Sequence, residues 1–455
     1  MATKAKPVKY KPMKHQAQTI ALGRKQECMF DMSDPGTGKT LGQIYIFKER
    51  RGPKDKLLVL GPKSLLEPAW GGDLAKFAPD LRFSIANAEN REAAFAADAD
   101  VYITNVDAAV WLSKKAKGFY KNFTMLVVDE ATAFKHSTSA RSRALGKIKK
   151  FFRYRSALTG TPNPNRITDI WNIVNFLDDG MRLGNSFVAF RQSVCTPKQV
   201  GPRSNMVEWQ DKPGAEDAVF SVLSDIVIRH ERDKCLDLPE NNQYTMAYKL
   251  STKQMKAYKE MAVAQIALLD KKKVVTAINA AAVATKLLQI ASGAVYESEN
   301  NYHLIDTGRY ELVLDLIEER QHSICFYLWK HQRDLLIEQA KKRGIKYCVY
   351  DGKASLKARN EMVRDFQAGF YQALFGHPAS MAHGLTLTRA TAAIWPSPTH
   401  NLEWYVQGNA RHDRNGQKNK TETIVVVAPN TIEEKTYDRL MGKGERMSNL
   451  LGLFT

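Results

Sequence analysis

Ser33 to Thr40 reads SDPGTGKT, two glycines followed by a lysine and a hydroxyl residue at a spacing suited to a polyphosphate. Gly36 and Gly38 allow backbone N–H groups, with that of Thr37, to turn towards phosphate oxygens, and the positive end of a following helix adds to the attraction. Lys39 then reaches the β- and γ-phosphates and Thr40 ligates Mg²⁺. The stretch departs from GxxxxGK[ST] only at its first position, which is Ser33. Further along, MLVVDEAT (Met125 to Thr132) carries an apolar run into two carboxylates. Asp129 is suited to hold the metal ion and Glu130 to orient or deprotonate a water beside the γ-phosphate. A lone Asp-Glu pair is equally a strand end before an acidic helix start; behind a phosphate cradle it completes a hydrolytic set.

Two more stretches could contribute. SALTGTPNPN (Ser156 to Asn165) offers the hydroxyls of Thr159 and Thr161 within turn-forming sequence. QGNARHDRNGQ (Gln407 to Gln417) carries Arg411 and Arg414, spaced to share one face of a helix. Supplied across a cleft, two guanidiniums would neutralise the charge that develops on a transferring phosphoryl group. Taken alone, the stretch is a solvated basic helix.

These residues sit at the ends of short apolar runs, which indicates how they are positioned. CMFDM, KLLVLGP, DVYITN, MLVVDEA and SALTGTP form one series, each followed by helix-like sequence; SICFYLW, KYCVYDG, QALFGHP, AAIWPSP and TIVVVAP form a second. Such alternation predicts an α/β fold with two mainly parallel sheets flanked by helices, ligand groups lying at the carboxyl ends of the strands. The region from Arg166 to Tyr296 reads as mostly helical, with one polar Pro/Gly-containing stretch from Thr196 to Ala215. The predicted domains are residues 1–238 and 239–455, each with a helical insertion, the second at about 250–296.

Composition narrows the partners. A chain of 455 residues exceeds one ordinary core, and 44% hydrophobic with 25% charged residues is a globular balance. The excess of 67 Lys+Arg over 48 Asp+Glu gives a net charge of +19, pointing to a polyanion, nucleic acid first, with a generally basic surface as the alternative. Cys28, Cys195, Cys235, Cys325 and Cys348 are scattered without a CxxC pair, which argues against a disulfide framework or zinc site. The basic N-terminus lacks the apolar stretch of a secretory signal, and the Ala-rich segment Val274 to Tyr296 is interrupted by Asn279, Lys286 and Gln289. A cytoplasmic chain without a membrane partner is expected.

In order, these motifs resemble helicase superfamily two, and more narrowly the Swi/Snf-type ATPases of its DNA translocase branch. KPMKHQ, ending at Gln16, is similar to the adenine-recognising Q motif, DPGTGKT to motif I, LVLGPKSLLEPAW to motif Ia, and ITNVD to the DNA-facing element after it. DEATAFKH, LTGTPNPNRITDIWN, SICFYLWKHQRDLL, HGLTLT and QGNARHDRNGQ resemble motifs II to VI. VIRHERDKCLDLPE, LSTKQMKAYKEM, YDGKASLKARNEMVRDFQ and TIEEKTYDRL agree with the Swi/Snf branch. Thr132, His383 and Asn415 depart from residues frequent in the family, and none of the three removes a catalytic group.

The resemblance implies two RecA-like P-loop lobes closing on one ATP with Mg²⁺, in a compact form without accessory domains. Lys39, Asp129, Glu130, Arg411 and Arg414 would be catalytic; Gln16, Gly36, Thr37, Gly38, Lys39, Thr40 and Gln407 would bind ATP, with Thr40 and Asp129 on the metal. Lys63, Ser64, Asn105, Lys353 and Thr386 would touch nucleic acid, although each also reads as an ordinary surface or turn residue. Tyr327 and Trp329 are candidates to stack on bases, with core packing the competing fate. The activity implied is an ATP-dependent nucleic-acid motor, a monomeric double-stranded DNA translocase that remodels DNA structures or protein–DNA complexes. A strand-separating DNA or RNA helicase, and a DNA-binding scaffold with an inert ATP site, are the alternatives.

Overall fold

A run that is apolar on both faces is stable as a strand only inside a sheet covered on both sides. In the computed structural model, Leu57 to Leu60 and Leu126 to Val128 are completely buried in this way. The structure describes residues 11–63, 65–162, 166–200, 206–271, 277–298, 301–352, 354–381 and 385–451. The chain forms two compact units that divide principally between Asp237 and Leu238.

In the first unit the strands are β1 (Cys28–Asp31), β2 (Lys56–Gly61), β3 (Phe83–Ala86), β4 (Val101–Asn105), β5 (Phe123–Asp129) and β6 (Tyr154–Leu158). Next in sequence come β7 (Cys195–Gln199) and β8 (Val207–Asp211), which pair in a separate two-stranded sheet and belong only in part to the first unit, and then β9 (Val227–Ile228). The main sheet runs β3-β4-β2-β5-β6-β1-β9, and every neighbouring pair is parallel. Helices α1 (Lys14–Lys25) and α2 (Lys39–Arg50) bring Ile20, Ile44 and Phe47 into one core with Met29, Val59, Val127 and Leu158 of the strands. Register then places chemistry: Asp31 pairs with Leu158 and Leu158 with Asp129, so two carboxylates flank one leucine at the sheet's carboxyl edge.

The second unit contains β10 (Asn241–Ala247), the antiparallel hairpin of β11 (Ala294–Ser298) and β12 (Asn301–Leu304), β13 (Ser323–Phe326), β14 (Tyr347–Tyr350), β15 (Ala373–Gly376), β16 (Ala392–Trp395) and β17 (Thr421–Val427). Its main sheet is again wholly parallel, in the order β10-β17-β16-β13-β15-β14. Helices Thr252–Lys271 and Ala277–Ala291 precede the hairpin, and Gln254 Nε2 ties them by donating to the Ile290 and Ala291 carbonyls, both at 2.8 Å. The fold is thus α/β with two parallel sheets, each covered by helices.

Three strands of the two main sheets lie outside the predicted series. β3 is a half-exposed edge strand, β9 has only two residues, and β10 alternates exposed polar with partly buried residues at the sheet edge. The stretch from Thr196 to Ala215 contains β7 and β8 rather than loop alone, and the mostly helical region from Arg166 to Tyr296 is interrupted by these and other short strands.

Candidate nucleotide site

β1 delivers the chain into the loop Ser33–Gly38, and α2 begins at Lys39. Gly36 and Gly38 have φ of 90° and 83°, the left-handed region that glycine enters without cost. At Gly38 a side chain is excluded twice over, because a Cβ there would lie 2.3 Å from Gln16 Nε2. Lys39 Nζ donates to the carbonyls of Ser33 (2.6 Å) and Asp34 (3.2 Å), so the ammonium is held over its own loop. Gln16 is buried beside it: its Oε1 accepts from Met13 N at 3.0 Å, capping α1, and its Nε2 lies 3.5 Å from the Thr37 carbonyl. Its amide therefore joins the first helix to the cradle.

At the end of β5, the Asp129 carboxylate accepts from the Trp70 indole N–H at 2.9 Å and from the backbone N–H of Glu130 at 3.0 Å. Burial pushes this carboxyl above the usual range, opposed by the Trp70 hydrogen bond and the Lys39 charge and reinforced by Asp31. Glu130 adopts φ 51°, ψ 58°, a left-handed conformation that costs a residue with a side chain about 1–2 kcal/mol. Strain of this kind collects at functional positions where the surroundings fix it. The Thr159 hydroxyl accepts from Thr161 N at 3.1 Å, and the intervening Gly160 packs so closely on Pro35 that a Cβ would lie 3.0 Å from its ring. This turn therefore buttresses the cradle.

In the second unit the helix Leu402–Asn409 ends before the two arginines. Arg411 and Arg414 lie on the turn after it, not on one helical face, because Arg411 N turns back to the Gly408 carbonyl at 3.0 Å. They converge by another route. Arg411 Nη1 (3.4 Å) and Arg414 Nη1 (2.9 Å) both donate to the Leu385 carbonyl, and Arg411 Nε donates to the Gln407 carbonyl at 2.6 Å. Gln407 is itself buried, its Nε2 3.4 Å from Glu403 Oε1.

Compared with known families, residues 20–294, more than half of the chain, match the one described as SNF2-related domain. The chain belongs to the SNF2-related family. Residues 308–416 match the helicase conserved C-terminal domain, and this SNF2-type chain is an ATPase of helicase superfamily two. It is 28% identical over 434 residues to protein p41 of Acyrthosiphon pisum secondary endosymbiont phage 1, covering 90% of this chain and 91% of that protein. An uncharacterized ATP-dependent helicase of Mycoplasma pneumoniae is 24% identical over 435 residues, covering 91% of this chain but 39% of the relative. The human SWI/SNF-related matrix-associated actin-dependent regulator of chromatin subfamily A member 1 is 25% identical over 434 residues, 89% of this chain and 40% of its own. The chain thus spans about two fifths of those two relatives. Among solved structures, the Sulfolobus solfataricus SWI2/SNF2 ATPase core in complex with dsDNA is 22% identical, with a TM-score of 0.46, covering 99% of this chain and 96% of that one.

The remaining expected positions of this SNF2-related chain are scattered. Lys63 is exposed just after β2, and Asn105 ends β4 in register with Gly61, so these two share one stretch of the first sheet's carboxyl edge. The Asn105 side chain accepts from Arg91 at 3.3 Å. Thr386 is exposed next to Leu385. Ser64, Lys353 and His383 lie outside the described residues. Tyr327 is only 7% exposed and belongs to the second unit's core, whereas Trp329 is half-buried with its ring 6.4 Å from that of Tyr296. Sequence reasoning missed Trp70, although it stands in the quoted LVLGPKSLLEPAW; it also missed Asp31, His15 and His230, which line the pocket around Lys39. Among the described residues, no helix is long and apolar enough to cross a membrane.

Proposed function

We propose that this SNF2-type ATPase is a double-stranded DNA translocase whose two units close on ATP and Mg²⁺. The observation that supports the reading is that the residues proposed to be catalytic fall in both units. Lys39, Asp129 and Glu130 gather at the carboxyl edge of the first sheet; Arg411 and Arg414 gather on the Leu385 carbonyl in the second. A hydrolase that needs both halves is active only when they meet, which ties turnover to movement.

In this scheme the cradle amides of Gly36, Thr37 and Gly38 and the Lys39 ammonium hold the triphosphate, and Gln16 and Gln407 border the nucleotide. Thr40 and Asp129 are the residues that would hold Mg²⁺; the Asp129 carboxylate, fixed by two donors, suits a hard cation. When bound, the metal draws charge from the phosphate oxygens. Glu130 orients the attacking water and accepts its proton, while Arg411 and Arg414 neutralise charge on the departing phosphoryl group. The net charge of +19 favours a polyanionic track. Lys63, Ser64, Asn105, Lys353 and Thr386 are proposed phosphate contacts, which suits a motor passing over any sequence. The domains assigned to this work are residues 1–238 and 239–455, in a monomer acting in the cytoplasm.

The experiment measures ATP hydrolysis with duplex DNA, single strands, forks and RNA in parallel, then displacement of a third strand from a triplex. Duplex-stimulated hydrolysis with triplex displacement and no unwinding is expected. Stimulation by single strands or RNA alone, or strand separation, would replace the reading with a helicase. Lys39→Ala should abolish turnover while DNA binding persists, and Glu130→Gln should bind ATP without hydrolysing it. Full turnover in Lys39→Ala contradicts the assignment of that lysine.

A further inference from the structure

The chain leaves the first unit through β9 and the residues after it, and this exit segment is bonded to the nucleotide cradle. Met32 N donates to the Ile228 carbonyl at 2.8 Å and Asp34 N to the His230 carbonyl at 3.0 Å. In return, His230 N donates to Ser33 Oγ at 3.0 Å and Arg232 N to Asp34 Oδ2 at 3.0 Å. The Arg229 guanidinium completes the junction, with one nitrogen 3.2 Å from the Met32 carbonyl and 3.1 Å from Asp34 Oδ1. Its side chain is 6% exposed against 30% for Asp34, so the pair is shielded from solvent on the arginine side.

Ser33 and Asp34 face both ways. Their carbonyls hold the Lys39 ammonium, while the Ser33 hydroxyl and the Asp34 carboxylate hold the exit segment. A second layer stands behind: His230 Nε2 lies 2.9 Å from Thr19 Oγ1, His15 Nε2 lies 2.8 Å from the Thr37 carbonyl, and the two imidazoles meet edge to face at 5.4 Å. First helix, phosphate loop and exit segment therefore form one continuous polar network. A phosphate that recruits Lys39 takes it from the carbonyls of the two residues to which the exit segment is bonded.

We propose that Arg229, acting through Asp34, is a positioning residue that makes the exit segment respond to nucleotide in the cradle, and so links ATP to the movement of the second unit. The proposal rests on the function proposed above, since it assumes that nucleotide enters this cradle. The linkage is reciprocal: displacement of the exit segment alters the cradle's affinity for nucleotide. Continuity of hydrogen bonds is not itself coupling, so the test must read the response.

Hydrogen exchange on the full chain, with and without Mg²⁺ and ADP, follows the amides of residues 227–237, including the two that bond to the cradle. In the natural protein, ADP is expected to slow their exchange. In Arg229→Gln, ADP should bind within about threefold of the natural affinity while this protection disappears, and Arg229→Lys should restore part of it because a lysine still reaches Asp34. In hydrolysis assays, the ratio of duplex-stimulated to unstimulated kcat should fall about tenfold in Arg229→Gln, with the KM for ATP little changed. Should Arg229→Gln fail to fold, Ser33→Ala, which removes only the acceptor of His230 N, should weaken the same protection. Unchanged protection in the folded variant overturns the proposal. Loss of ADP binding in Arg229→Gln also overturns it, by making Arg229 a support of the cradle alone. The exchange measurement contains no DNA, so absence of duplex stimulation in the natural protein counts against the translocase reading and leaves this test standing.

Discussion

Replacing Trp70 with phenylalanine should weaken Mg²⁺ use more than it weakens the fold. Trp70 is completely buried, and its indole N–H donates at 2.9 Å to Asp129 Oδ2; the other carboxylate oxygen is held by the Glu130 amide. A hydrogen bond to a charged acceptor contributes about 1.5–3 kcal/mol. Phenylalanine keeps most of the packing and deletes this donor. The proposed metal ligand then loses orientation and part of the stabilisation of its ionised form. If that energy appears in metal affinity, half-saturation by Mg²⁺ rises between about tenfold and about a hundredfold. The pH dependence has a definite sign. Burial already raises the Asp129 carboxyl and the Trp70 bond opposes that rise, so removal of the bond raises it further. Protons then compete better with Mg²⁺ for the same oxygens, and the loss should deepen as pH falls. The assay titrates Mg²⁺ against steady-state ATP hydrolysis at several pH values, at a temperature where both proteins are folded. Asp129→Asn serves as the reference for a site without the carboxylate. A lowered kcat with unchanged Mg²⁺ dependence at every pH would refute the reasoning, leaving Trp70 as packing only.

Gly38→Ala forces a side chain into a backbone at φ 83°, costing about 1–2 kcal/mol, and pushes its Cβ towards Gln16 Nε2. Nucleotide titration should show affinity lost by at least about tenfold. In the second unit, Arg309 and Glu433 form a two-pronged ion pair at 2.9 and 2.8 Å with 1% and 0% side-chain exposure. Glu433→Gln should lower stability to chemical denaturation by about 3–5 kcal/mol by leaving a buried guanidinium without its counter-charge, and Arg309→Met with Glu433→Leu should cost less than that single change. His331 is buried between Ser292 and Tyr296, and desolvation brings its pKa down to about 4. Being neutral in the fold, it contributes stability that is complete above about 6.5 and lost as pH falls through about 4, roughly 3 kcal/mol in all. His331→Asn should flatten that part of the pH–stability curve, measured by denaturation from pH 7 to pH 4.

Which parts of the molecule could be read from its sequence follows from how locally each is specified. β1, β2, β5 and β6, and all of the second series from β13 to β17, announce themselves because a buried parallel strand must be apolar on both faces. β10 hides for the converse reason: at a sheet edge NNQYTMA needs only one partly buried face, and its polar residues read as loop. The loop Ser33–Gly38 and the helix start after it were legible because their residues are contiguous, with the glycines on one loop and Lys39 and Thr40 opening the helix that follows. Trp70 was not, since its bond to Asp129 depends on the helical turn Leu66–Gly71 meeting the end of β5 across the fold. The arginines show the intermediate case. Their spacing suggested a shared helical face, but the helix ends at Asn409, and what brings them together is the Leu385 carbonyl. Periodicity reports an angle about a helix axis and says nothing about a turn, where convergence depends on a distant acceptor. The same limit applies to Arg229, whose partner Asp34 is remote in sequence and whose place after β9 is set by parallel pairing with β1. The contacts proposed to join nucleotide to movement are of this long-range kind, and their worth has to be measured as a response to ADP.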